Sequence, residues 1–109
     1  TMTWINSMFS NAPKAASAAL SSDAVFLDVR SPMEFASGHV AGAVSLPLDR
    51  FVDHYASVLP DQTQPGVVYC ASGARSSQAV QYLAQQGYVN AKNGISAHSV
   101  AQQFQKAVV

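Results

Sequence analysis

The chain has 109 residues, six basic side chains against six acidic ones, and 49% hydrophobic but only 11% charged residues. That balance excludes a disordered chain and offers no run of Lys or Arg to hold nucleic acid or an anionic membrane surface. A single cysteine excludes an internal disulfide and a Cys-rich metal site, and no run approaches the roughly 18 apolar residues of a membrane span.

The length is that of one domain, so residues 1–109 are read as a single unit with one core and one site. No basic and then apolar leader opens the chain. The expected location is cytoplasmic, with a periplasmic form freed of its signal peptide as the alternative.

Helix-like and strand-like segments alternate along the chain, the pattern of a mainly parallel sheet with helices on both faces. "TWI", residues 3–5, reads as a short edge strand. "NAPKAASAAL" reads as a first helix, with Asn11 as N-cap, Pro13 in the first turn and Ala15, Ala16, Ala19 and Leu20 on one stripe. "AVFLDV", residues 24–29, is a buried strand that ends at Asp28, and "SPMEF" opens a helix with Ser31 and Glu34 at capping-box spacing and Pro32 at its first position.

"GHVAGAVSLP" then supplies a turn and a short strand that stops before Pro47. Phe51, Val52, Tyr55, Val58 and Leu59 repeat at helical spacing, and "VVYC" follows as the most strand-like run and the expected central strand. After it, Ala79, Val80, Leu83 and Ala84 form a helical stripe that ends at Gly87. "YVNAK" is predicted as the last strand, and Val100, Phe104, Ala107 and Val108 as a closing helix.

Chemistry concentrates in "VVYCASGARSS", residues 67–77. Cys70 falls at the carboxyl end of a strand, where open α/β sheets bind ligands, and a helix starts just beyond it. Ala71, Ser72, Gly73 and Ala74 are small enough to let backbone N–H groups converge on an anion, and Arg75 closes the loop. The helix dipole, those N–H groups and the Arg75 guanidinium all favour thiolate over thiol, so Cys70 is expected to have a lowered pKa and to act as a nucleophile. A small apolar residue closing a buried strand is the alternative, and it does not explain an arginine at the rim.

"FLDVRSPMEFASGHVAGAVSLP" and "VVYCASGARSSQAVQYLAQQGY" together closely resemble the single-domain rhodaneses, which are sulfurtransferases. The resemblance implies a five-stranded parallel sheet flanked by helices on both faces. It also implies a cysteine that takes sulfane sulfur from thiosulfate or a persulfide donor and passes it to a thiophilic acceptor, cyanide in an assay or a thiol in the cell. Carried onto this chain, Cys70 is the persulfide carrier, residues 71–75 are the cradle and Arg75 closes it. Four residues separate Cys70 from Arg75, one fewer than in the related Cys-based phosphatases, and the smaller ring suits a sulfur atom better than a phosphoryl group.

Two departures from the family pattern stand out. "NGISAHS" replaces the usual "NLxGG" and tryptophan, which predicts a more open site or a differently docked final helix. Ala71, Ser72 and Ala74 bring no positive charge, which predicts a weak preference for thiosulfate. The alternative reading is a sulfur-relay or binding module that delivers sulfur to a partner protein with little turnover of its own. No cofactor, metal, nucleic acid or membrane partner is expected.

Among other polar residues, Asp28 is near enough to the strand ends to approach the site, but it and Arg30 are read as structural, in an ion pair or a turn cap, and Glu34 as capping its helix or pointing into the pocket and repelling anions. Ser72, Ser76 and Ser77 are read as donors to the persulfide sulfur or as caps of the helix after the loop, with capping the favoured reading for Ser76 and Ser77. Tyr69 is expected to wall the pocket, and His39 to support a turn.

Overall fold

Four parallel strands and four helices alternate through residues 24–109, which are the residues the computed structural model describes. In chain order they are β1 (Val25–Asp28), α1 (Pro32–Ser37), β2 (Val44–Ser45), α2 (Leu48–Val58), β3 (Gly66–Cys70), α3 (Ala74–Gln85), β4 (Ala91–Ser96) and α4 (Ala97–Phe104). The strand order is β2-β1-β3-β4 with every pairing parallel. The segments read as a first strand and a first helix lie outside the described residues, so the sheet shows four strands here where the resemblance implies five.

The chain moves from β1 outward to β2, then returns past β1 to lay down β3 and β4 on its other side. The direction therefore reverses between β1 and β3, and the carboxyl ends of those two strands flank the crevice in which such sheets bind ligands. Asp28 pairs with Tyr69, which leaves Cys70 one residue further out on the central strand. All five residues of β3 are buried.

Strand alternation sorts the core into two layers. Leu27, Val68 and Cys70 face one side and pack under Phe51 of α2 and Ala79 and Leu83 of α3. Phe26, Val67 and Tyr69 face the other side, with Val100 and Phe104 of α4 against them. Each fully buried leucine or valine in these layers contributes about 1.5–3 kcal/mol relative to exposure, which makes β3, apolar on both faces, the best-anchored strand.

Local chemistry accounts for the helix ends. The Glu34 N–H donates to Ser31 Oγ and the Ser31 N–H donates to Glu34 Oε1, so the capping box at α1 is complete. At the end of α3, the Gly87 N–H donates to Ala84 and the Tyr88 N–H to Leu83, with Gly87 in the left-handed region as expected of a residue just past a helix.

Two predicted elements are displaced. The last strand is Ala91–Ser96 rather than 88–92, because Tyr88 is drawn into the core, where its hydroxyl donates to the Leu59 carbonyl. Gly94 lets the shifted strand pass through: a Cβ there would meet Val100 Cγ2 and come within 2.8 Å of Val67 Cγ1. The closing helix stops at Phe104, and Gln105 turns left-handed. Ala107 and Val108 leave the helix, and the chain end runs antiparallel to residues 39–41, with Val108 bridged to Val40.

Candidate active site

Cys70 ends β3 and its side chain turns toward α3, with 1% of the residue exposed. Ala71 and Ser72 form an exposed step, and Gly73 (φ +100°) is the N-cap of α3. Only glycine adopts that conformation freely. It aims the Gly73 N–H at Cys70 Sγ over 3.0 Å. One turn on, the Ser76 N–H reaches the same sulfur over 3.4 Å, and Ser76 Oγ lies 3.3 Å from it.

Burial alone pushes the thiol up, yet hydrogen bonds from the Ser76 hydroxyl and the N–H groups of Ser76, Gly73 and Ser72 outweigh it and lower the pKa from 9.0 to about 7. A thiolate is therefore abundant at neutral pH in a place where most free thiols would be protonated. The Gly73 and Ser72 N–H groups belong to the cradle read in the sequence and Ser76 adds its N–H and hydroxyl, whereas Arg75 bonds Glu34 instead of the sulfur. No side-chain bond caps α3, and Ser76, expected as a cap, is fully buried against the sulfur.

Arg75 lies in the first turn of α3 and not in the loop proper, and its guanidinium forks onto Glu34 of α1 over 2.9 and 3.1 Å. The two side chains are 38% and 37% exposed, so the pair sits at the mouth. Arg75 first, and the Ser31 N–H second, hold the Glu34 carboxyl down at about 2. Glu34 caps α1 as read, and in place of the alternative role in the pocket it engages the arginine. The cation read as closing the cradle is already neutralised by a carboxylate.

Asp28 and Arg30 are brought to each other and not to the sulfur. Arg30 donates to both Asp28 oxygens, at 2.6–3.1 Å, and to the Gly38 carbonyl at 2.6 Å, while its guanidinium carbon lies 5.7 Å from the centre of the Tyr69 ring. Asp28 is fully buried, so this pair ties the end of β1 to the turn after α1. Tyr69, expected to wall the pocket, faces the opposite side of the sheet from Cys70, because successive strand residues alternate, and its hydroxyl accepts the Val40 N–H over 3.0 Å. His39 stacks on Phe35 at 3.7 Å and meets the Phe35 carbonyl through Nδ1, a turn support as read.

Asn93 is the site residue that reading the sequence missed. Its Nδ2 donates to the Gly73 carbonyl over 3.1 Å, and its Oδ1 accepts from Ser76 Oγ over 2.6 Å and from the Ile95 N–H over 2.9 Å. The only hint was the unusual "NGISAHS" segment, which begins on it. Among the described residues, no group of three His, Cys, Asp or Glu side chains could hold a metal, and no helix is long and apolar enough to cross a membrane.

A cleft of about 270 Å³ opens beside Arg75, walled by Val29, Pro32, Pro47 and Leu48 and edged by Asp49, with Cys70 and residues 71–74 outside its lining. It lies at the carboxyl end of the sheet. Asp49 and Arg75 are the charged residues of its lining, and Arg75 is already paired with Glu34.

Comparison with known proteins agrees with this architecture. The model of the rhodanese-like domain matches residues 12–98. Thiosulfate sulfurtransferase PspE of Escherichia coli is 35% identical over 68 residues, which span 62% of this chain and 65% of that protein. A sulfurtransferase of Allochromatium vinosum is 40% identical over 78 residues, 69% of this chain and 71% of its own. Among solved structures, a rhodanese with anions from E. coli superposes with a TM-score of 0.68 at 32% identity, covering 72% of this chain and 92% of that one.

Proposed function

The chain belongs to the rhodanese-like domain family, and we propose that it is a sulfurtransferase in which Cys70 takes sulfane sulfur as a persulfide and yields it to a thiophilic acceptor. The observation that carries this reading is the buried thiol with a pKa of about 7, held by N–H groups that converge on its sulfur. Relatives named as sulfurtransferases, one of them a thiosulfate sulfurtransferase, support it.

In the first half-reaction the Cys70 thiolate attacks the outer sulfur of the donor. A Sγ–S bond forms, the donor's S–S bond breaks, and the electron pair leaves with a thiolate, or with sulfite when the donor is thiosulfate. In the second, the acceptor attacks the outer sulfur, and the pair of the Sγ–S bond returns to Sγ. A thiol acceptor departs as a persulfide, and cyanide as thiocyanate. The free N–H groups that every helix presents in its first turn suit the negative outer sulfur of the intermediate.

The finer reading concerns the donor. A loop without positive charge, an arginine already paired and a cleft with apolar walls favour the organic body of an alkyl persulfide over bare thiosulfate. The test is intact-protein mass after exposure to each donor. The wild-type protein should gain one sulfur atom, faster from an alkyl persulfide than from thiosulfate, and Cys70→Ser should gain none. A wild-type protein that takes up no sulfur from any sulfane donor refutes the proposal.

A further inference from the structure

Ser76 has one hydroxyl hydrogen and two acceptors within reach, Asn93 Oδ1 at 2.6 Å and Cys70 Sγ at 3.3 Å. With the hydrogen on Asn93, Ser76 Oγ presents only lone pairs to the sulfur, and it can accept the S–H of a neutral thiol. A thiolate has no hydrogen to give. Lone pairs facing that anion repel it, so on ionisation the hydroxyl is favoured to turn and donate to sulfur. Asn93 tolerates the departure, because the Ile95 N–H still donates to the same Oδ1 and Nδ2 still holds the Gly73 carbonyl.

The backbone beside Asn93 is shaped around this contact. Val68 pairs with Asn93 but Tyr69 pairs with Ile95, so Gly94 is an extra residue bulged from β4. Ile95 then takes φ +79°, a costly conformation for a β-branched residue, while 49% exposed and so with little burial to offset it. What the bulge achieves is to turn the Ile95 N–H onto Asn93 Oδ1.

We propose that Asn93 is a positioning residue for sulfur transfer: its carboxamide is the resting acceptor for the Ser76 hydrogen, which lets that hydroxyl follow the charge on Cys70 Sγ. The inference rests on the persulfide reading of Cys70. Charge resides on Sγ before it attacks the donor and returns to it when the acceptor takes the outer sulfur. Between those moments Sγ is bonded to a second sulfur and uncharged, and the hydroxyl turns back to Asn93. No covalent bond changes in the turn, and the proton released when the thiol ionises passes to solvent.

Thiolate absorbance followed against pH on the full chain tests this without any turnover. Ser76→Ala should raise the thiol pKa by about one unit, a tenfold loss of thiolate at a fixed lower pH. Ser76→Thr should restore the wild-type value. Asn93→Ala should lower the pKa by about half a unit, a roughly threefold gain of thiolate, because the hydroxyl is freed for sulfur. In the Ser76→Ala background the same Asn93 change should produce no fall.

A thiol pKa that is unchanged or raised in Asn93→Ala, or lowered equally with and without Ser76, overturns the role of Asn93. If that variant fails to fold, Asn93→Asp replaces it: the carboxylate should hold the hydrogen harder and raise the pKa more with Ser76 present than in Ser76→Ala, and equal shifts overturn the proposal. Sulfur uptake measured by mass on the same proteins separates the two readings. Absent shifts in a protein that takes up sulfur defeat the Asn93 role alone, whereas the expected shifts in a protein that never takes up sulfur defeat the transfer reading.

Discussion

Tyr69 and Cys70 are neighbours on the central strand, both buried, and their acidities move in opposite directions. Burial pushes the Tyr69 hydroxyl up to about 12, with the Asp28 carboxylate adding to the rise, against an N–H bond from Val40 and the Arg30 guanidinium. Burial pushes the Cys70 thiol up as well, but four hydrogen bonds from Ser76, Gly73 and Ser72 reverse the sign and bring it to about 7. Desolvation is common to both sides of the sheet. What differs is what surrounds the ionising atom: the Tyr69 hydroxyl has one N–H donor and the Asp28 carboxylate nearby, whereas the side that faces the start of α3 aims several donors at Sγ.

Removing the aim of those donors should have the largest effect. Gly73→Ala places a side chain at φ +100°, a strained conformation for any residue with a Cβ, and relief of that strain turns the N–H away from sulfur. A thiol pKa raised by about one unit or more is expected, with sulfur uptake at neutral pH slowed about tenfold. An unchanged thiol titration in that variant would mean that the donors are not the cause of the lowered value.

The pH profile follows from the same contrast. Cys70 has its folded pKa lowered from 9.0 to about 7, so the rate of sulfur uptake should climb about tenfold per pH unit below 7 and level off above it. For stability the sign is that of a lowered acid: the thiolate's contribution is fully present above the unfolded value of 9.0 and is lost as pH falls through about 7. Stopped-flow uptake and chemical denaturation across that range measure the two effects separately.

Tyr69→Phe probes the other side of the strand. It leaves the buried Val40 N–H without its acceptor and should cost about 1–3 kcal/mol in denaturant unfolding, with no change in the Cys70 titration. A shift of the thiol in this variant would break the separation of the two faces. Smallest of all should be Glu34→Gln, which frees Arg75 at the mouth and removes a negative charge. Uptake from thiosulfate should rise several-fold relative to an alkyl persulfide, with little effect on the thiol pKa, because Arg75 donates to Glu34 and not to sulfur. Equal rates for both donors before and after the change would remove Glu34 from donor selection.

Much of this arrangement was legible in the chain because it is local. Ser31, Pro32 and Glu34 specify the start of α1 within four residues, and the run that ends at Cys70 followed by small residues announces a strand that turns into a helix. The acidity of Cys70 could be anticipated in direction from that turn alone. Its causes could not be ranked: Arg75 is the nearest charge along the chain, and Ser76 reads first as a cap and only second as a donor to the sulfur.

The amino-acid sequence by itself determined the alternation of strands and helices, the placing of Cys70 at a strand end and the donors within six residues of it, since each depends on side chains and backbone close along the chain. Tertiary structure alone decided that Glu34 occupies Arg75 across 41 positions, and that Asn93 reaches Ser76 across 17. It also carried the last strand through Gly94. Contacts of that span leave no periodicity in the sequence, because they are chosen by which elements the sheet order makes neighbours and by where a glycine lets two chains approach.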